Sequence, residues 1–143
     1  MSDTELTLFW ASEEVGEIEN GLLTAEVKAG GYVGHGSAFF GREFIRETFV
    51  AELRREISGP VRLEGSDLDQ KGLRLRISPH NDKGLLLVEV QLSAPAQSEH
   101  AMDDLENELA VRFVTNYETI LRFASAIEAQ LDGGDLPSTL TGS

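Results

Sequence analysis

The middle of the chain most constrains the fold, because apolar and polar residues alternate there without interruption. In the stretch LRLRI at residues 73–77 the apolar side chains share one face and the arginines share the other, as on a half-buried strand. The turn-forming segment 79–84 follows, and the alternation resumes over residues 85–92. The sequence therefore predicts a β-hairpin with Arg74 and Arg76 on its solvated face.

Strands and two amphipathic helices are predicted around this hairpin. Segments before residue 41 are β-prone, as are residues 109–113. Apolar residues recur every four positions from Ile45 to Ile57, and they form one stripe from Tyr117 to Leu131, so both segments are expected to be helical. Thr115 to Glu118 has the spacing of a capping box at the start of the second helix.

The predicted element order is β-β-β-α-β-β-β-β-α, without an internal repeat. Short connections between strands favour an antiparallel sheet, and two amphipathic helices can cover one of its faces. We therefore expect an α+β fold, a single two-layer domain of mostly antiparallel sheet over residues 1–134. Residues 93–104 are expected to form a flexible loop, and residues 135–143 a flexible C-terminal tail.

Composition excludes some functions and favours others. The chain has 143 residues and no cysteine, which excludes disulfides, thiolate nucleophiles and cysteine-based metal sites. No apolar run approaches the roughly 18–20 residues of a membrane helix, and the acidic start does not resemble a signal peptide, so a cytoplasmic location is expected. The net charge of −13 opposes binding to nucleic-acid phosphates. It favours a basic protein partner, or it serves solubility alone.

One glycine-rich stretch, GGYVGHGSAFFGREF at residues 30–44, has the appearance of a motif. A phosphate-binding P-loop needs Lys and Ser or Thr directly after its last glycine, whereas Gly41 is followed by Arg42 and Glu43. The dinucleotide-binding fingerprint needs a glycine where Phe39 stands. The stretch is therefore predicted to be a structural device, either a β-bulge or a strand that passes close to another backbone.

Catalytic and metal-binding patterns are not found. His35 and Ser37 share a strand face, but no third group is evident to orient the histidine as a base. His35, His80 and His100 lack the spacing of metal ligands. The sequence predicts no catalytic, cofactor-binding or metal-binding residue.

An interaction surface is the remaining site prediction. Phe39 and Phe40 are neighbours on a strand and point to opposite faces, so one of them is expected to lie outside the core. An exposed aromatic ring beside polar groups is a typical anchor of binding surfaces. The candidate interaction surface consists of Tyr32, His35, Phe39, Phe40, Arg74 and Arg76.

Three segments together carry a family resemblance. They are GGYVGHGSAFFGREFIRETFVAELRR (30–55), KGLRLRISPHNDKGLLLVEVQLS (71–93) and LAVRFVTNYETILRFASAIEAQL (109–131). Their order resembles a group of small bacterial α+β proteins that includes the WapI-type immunity family. The acidic stretch 94–104 departs from that pattern. The resemblance implies a compact protein without enzymatic machinery, and some members are suggested to neutralise a toxin.

Three functional hypotheses follow. The first is a non-enzymatic cytoplasmic interaction protein, of the kind that inhibits a basic toxin. The second is a small-ligand-binding or hydrolytic domain with a pocket near Tyr32, His35 and Ser37, completed by Arg74 or Arg76. The third is a structural domain that oligomerises, for example as a homodimer.

Overall fold

The computed structural model describes residues 3–15, 18–64, 72–81, 83–95 and 106–143. These residues form an α+β fold of two four-stranded antiparallel sheets and two helical segments, which confirms the predicted fold class. The strands are β1 Thr4–Val15, β2 Ile18–Ala29, β3 Tyr32–Gly41, β4 Val61–Glu64, β5 Leu73–Pro79, β6 Leu85–Pro95, β7 Glu106–Asn116 and β8 Ser138–Gly142. Sheet A has the order β3-β2-β1-β8, and sheet B has the order β4-β5-β6-β7.

The first helix, α1, is irregular and the second, α2, is regular. Helix α1 consists of the α-helical Arg42–Phe44, the π-helical Ile45–Val50 and the α-helical Ala51–Leu53. Helix α2 spans Tyr117–Leu131. Neither is long and apolar enough to cross a membrane, and the same holds for every helix among the described residues.

The predicted hairpin is confirmed in β5 and β6. Leu75 lies opposite Val90 and Ile77 lies opposite Val88, and all four side chains are buried. The connecting turn places Gly84 at a φ of +84°, a conformation that costs glycine little. The alternation is thus explained by a sheet with one face in the core and one in water.

Both helices pack on the inner faces of the sheets and against each other. The buried side chains of the two sheets and two helices form one hydrophobic cluster. Ion pairs join the exposed sides of the helices: Arg46 Nη2 lies 2.6 Å from Asp132 Oδ1, and Arg54 pairs with Glu128. The two-helix layer was predicted, but it covers two sheets rather than one.

The prediction of a flexible C-terminal tail is wrong for residues 138–142, which form β8. Leu140 and Ser138 are completely buried, and β8 pairs with β1. Ser143 and Val114 exchange two backbone hydrogen bonds of 3.0 Å, which tie the end of β8 to β7. Most residues of 135–143 are small or polar, and Leu140 is the one buried leucine among them, so composition alone predicted a frayed end. Of the predicted loop 93–104, residues 96–104 lie outside the described residues, and 93–95 belong to β6.

The predicted capping box at Thr115 is wrong as well. The N-cap of α2 is Asn116, whose Oδ1 accepts hydrogen bonds from the Thr119 backbone N–H at 2.8 Å and from its hydroxyl at 2.9 Å. Thr115 is still in strand β7, and its hydroxyl donates to the Thr141 carbonyl at 2.9 Å. The helix therefore begins one residue later than the capping-box pattern indicated.

Sheets A and B share one plan, which corrects the prediction of no internal repeat. In each half of the chain three meander strands lead into a helix and then into a short strand, and that short strand joins the sheet of the other half. Strand β4 therefore lies beside β5, and β8 lies beside β1. Each half completes the other half's sheet.

Sequence similarity supports this shared plan at matching positions of the register. The segment GLLTAEV at 21–27 corresponds to GLLLVEV at 84–90, and PVRL at 60–63 corresponds to PSTL at 137–140. The pairings agree: Leu6 lies between Val27 and Leu140, as Leu75 lies between Val90 and Leu63. The repeat was missed because the likeness is confined to these short segments.

Candidate functional site

The exposed aromatic residues of the predicted interaction surface lie on β3. Tyr32 is 73% exposed and Phe39 is 48% exposed, so both are accessible. Phe40 is only 5% exposed and stacks on Phe44 with ring centroids 6.3 Å apart. Phe40 was therefore wrongly included in the predicted interaction surface, because it points to the inner face of sheet A whereas Phe39 points outward.

His35 forms a hydrogen bond with a carboxylate at the surface of sheet A. Its Nε2 lies 2.9 Å from Glu26 Oε2 on the neighbouring strand, and Lys28 Nζ lies 3.4 Å from the other carboxylate oxygen. The hydrogen bond to His35 holds the pKa of Glu26 below its ordinary value. Among the described residues, no three His, Asp or Glu side chains gather in a way that could hold a metal ion.

The glycines of β3 serve a close approach between the sheets. Strand β3 pairs with β2 residue by residue from Tyr32 to Gly41, without a bulge. A Cβ on Gly36 would overlap the Gly72 carbonyl oxygen, and a Cβ on Gly72 would lie 3.0 Å from the Ser37 carbonyl carbon. Of the two structural roles expected for this stretch, close backbone contact is the one observed.

Four arginines point outward from sheet B. In one row across the strands lie Arg62, Arg76, Glu89 and Arg112, and in the next lie Glu64, Arg74, Gln91 and Ala110. We call this surface the arginine face. All four arginines are exposed, and a groove of about 280 Å³ lies on this face, lined by every one of these side chains except Arg62.

The arginines are incompletely neutralised by the protein. Arg112 Nε lies 3.9 Å from Glu89 Oε2. Within the part of the chain that the structure describes, Arg62, Arg74 and Arg76 form no ion pair. The face carries four arginines and two glutamates, a formal charge of +2, in a chain whose net charge is −13. The arginine face is thus a positive surface on a protein that is otherwise strongly acidic.

Like charges also face each other directly. Arg62 on β4 is the cross-strand partner of Arg76 on β5. Directly opposed residues on a sheet have Cβ atoms roughly 4.5–5.5 Å apart, and like-charged residues placed directly opposite each other are destabilising. A fold selected for stability alone would not favour this pair.

Sheet A provides an internal comparison for these positions. The shared register makes Arg62 and Arg76 equivalent to Thr139 and Thr7, which are also cross-strand partners. In the same way Arg74 is equivalent to Glu5, and Arg112 is equivalent to His35. Three of these four positions therefore hold no basic residue in sheet A.

The residues of the expected pocket near Tyr32, His35 and Ser37 lie on two different sheets. Tyr32, His35 and Ser37 belong to β3 of sheet A, whereas Arg74 and Arg76 belong to β5 of sheet B. The groove of the arginine face is lined by both arginines and by none of the three β3 residues. The candidate residues therefore belong to two different sheets.

Arg62 and Arg112 were missed by sequence analysis. Alternation within residues 73–77 identifies Arg74 and Arg76, but nothing in the sequence indicates which strands lie beside them. The flanking arginines become visible only when β4 and β7 are placed in the order β4-β5-β6-β7.

Comparison with protein-family models, with curated proteins and with solved structures gave no match.

Proposed function

We propose that this protein is a non-enzymatic interaction protein that binds a protein partner through the arginine face. A cytoplasmic location belongs to the same proposal. The observation that carries it is that Arg62, Arg74 and Arg76 are exposed, form no ion pair with any residue that the structure describes, and occupy positions where sheet A has threonine or glutamate. Because sheet A forms without them, these arginines are not required by the fold and are available for binding.

The shape and chemistry of the face suit a protein partner. Four neighbouring strands, each about 4.8 Å from the next, give a surface roughly 14 Å across. Arginine is enriched in protein interfaces and among the residues that dominate binding energy. The polar lining of the groove consists of arginines, two glutamates and one glutamine, so it supports recognition of charge rather than nucleophilic chemistry.

A capture experiment with charge-reversed bait tests the proposal. The bait variants are Arg74→Glu/Arg76→Glu and the control Arg55→Glu/Arg122→Glu, which changes the net charge equally at exposed arginines outside the arginine face. Partners captured from extracts of the source cells by the unmodified protein should be retained by the control and lost by the face variant. Equal capture by all three proteins would contradict the proposal.

A second candidate function is an immunity-type inhibitor of a basic toxin. It is favoured by the net charge of −13, which would accelerate association with a positively charged partner. In that case the Arg74→Glu/Arg76→Glu variant should bind at least as fast as the unmodified protein, since it is more acidic. The association rate should also fall steeply with added salt. Slower association of the variant would favour the arginine face as the binding site and contradict this second function.

A further inference from the structure

We infer that the arginine face recognises an acidic segment in extended conformation, with carboxylates at every second residue. This inference rests on the proposed function and names the chemistry of the partner. It follows from the spacing of Arg74 and Arg76, from the opposition of Arg62 and Arg76, and from the position of Glu89.

The arginines of β5 have the side-chain spacing of an extended peptide. Arg74 and Arg76 are two residues apart on one face of this strand, so their Cα atoms are about 6.5–7 Å apart. Side chains at alternate positions of an extended peptide have the same separation and also share one face. Two carboxylates of such a peptide can therefore each meet one guanidinium, and charge-assisted pairs of this kind are among the stronger hydrogen bonds.

The direction of the segment follows from the charges around these arginines. Across the strands, each row contains a glutamate directly opposite an arginine of β5, Glu89 opposite Arg76 and Glu64 opposite Arg74, and either would repel a run of carboxylates. Along β5, an acidic segment meets Arg76 and then Arg74 without a glutamate between them. The segment is therefore expected to run along β5 rather than across the sheet.

Two further side chains fit this placement. A carboxylate above Arg76 also reaches the neighbourhood of Arg62, its cross-strand partner, and would offset the repulsion between the two guanidinium groups. In the row that contains Arg74, Ala110 lies beside Gln91, and its small side chain leaves space in the groove for a side chain of the bound segment.

The test uses defined peptides and the intact protein. The probe is a fluorescein-labelled peptide of eleven residues that alternates Thr and Glu, with acetylated and amidated ends. The comparison peptides are one of equal composition with all glutamates contiguous and one with Gln in place of Glu. Affinities are measured by fluorescence anisotropy at low and at physiological salt.

The alternating peptide should bind more tightly than the contiguous one, and the Gln peptide should not bind. Arg74→Gln/Arg76→Gln should weaken binding about ten-fold, because two exposed charged contacts contribute about 1.4 kcal/mol together. The control Arg55→Gln/Arg122→Gln has the same net charge and should retain the original affinity. Circular dichroism confirms that both variants fold.

Two results would overturn the inference. One is equal affinity for the alternating and contiguous peptides, which would mean that net charge alone is recognised. The other is an equal loss in the control variant, which would place binding outside the arginine face. If the peptides fail while the captured partner is still lost from Arg74→Glu/Arg76→Glu, the proposed function stands and only the acidic extended segment is rejected.

Discussion

Replacing Gly72 by alanine should destabilise the protein at the contact between its two sheets. Gly72 lies just before β5, and its carbonyl oxygen accepts a hydrogen bond of 3.1 Å from the Ser93 N–H. An added Cβ would overlap the Ser37 carbonyl oxygen and lie 3.2 Å from the Ser37 backbone nitrogen. Every obstructing atom belongs to the main chain of β3, so no side-chain rotation can remove the overlap.

The expected loss can be estimated from two opposing effects. Overpacking by one methyl group in a closely packed region costs about 1–3 kcal/mol, and a rigid main-chain obstacle favours the upper end. Replacing glycine also lowers the entropy of the unfolded chain, which offsets about 0.4–1 kcal/mol. The net loss in the free energy of unfolding is about 2 kcal/mol, or about 4–8 °C in melting temperature for a chain of this length.

Thermal unfolding followed by circular dichroism measures this loss, with Gly59→Ala as the matched control. A Cβ on Gly59 meets no atom within 4 Å, so that variant should melt within about 2 °C of the unmodified protein. If Gly72→Ala and Gly59→Ala melt at the same temperature, the close approach of β3 to Gly72 does not contribute to stability, and the explanation given for the glycine-rich stretch fails.

Three further variants test the helix cap, the hydrogen bond between His35 and Glu26, and the opposed arginines. Asn116→Ala should lower the free energy of unfolding by about 1 kcal/mol in chemical denaturation, because two hydrogen bonds to its side chain are lost. In His35→Ala the pKa of Glu26, measured by NMR titration, should rise toward its ordinary value. A carboxyl group whose pKa is lowered by folding stabilises the fold at pH values above its unfolded pKa, and this stabilisation is lost as the pH falls through the folded pKa. The free energy of unfolding of the His35→Ala variant should therefore fall less over this acidic range than that of the unmodified protein. Arg62→Thr/Arg76→Thr, which introduces the residues of sheet A, should unfold at the same temperature as the unmodified protein or higher; a clear loss would show that the fold needs the arginines.

Local periodicity predicted much of the fold. The alternation at residues 73–77 predicts both the strand and its buried face, because a strand with one solvated side needs a period of two. The helix from Tyr117 follows from an apolar stripe, of which Ile120, Ala124 and Ile127 are buried. In both cases the signal and the structure lie within one element.

Features that depend on distant partners were not predictable. Strand β8 is short and polar, and only its pairing with β1 and the burial of Leu140 define it as a strand. The inward direction of Phe40 depends on the register of β3 against β2, which the sequence does not reveal. The arginine face has the same origin, since its four arginines come from three strands.

Because the two sheets are equivalent, features that both sheets share can be distinguished from features that only one sheet has. Both sheets place an acid–base pair at the same position of the register, Glu26 with His35 in sheet A and Glu89 with Arg112 in sheet B. An interaction kept in both halves is explained by the shared architecture. The opposed arginines, by contrast, occur in sheet B alone, where they replace a neutral threonine pair and introduce repulsion. A feature that only one of two equivalent sheets carries, and that works against stability, supports the proposal that the arginine face binds a negatively charged partner.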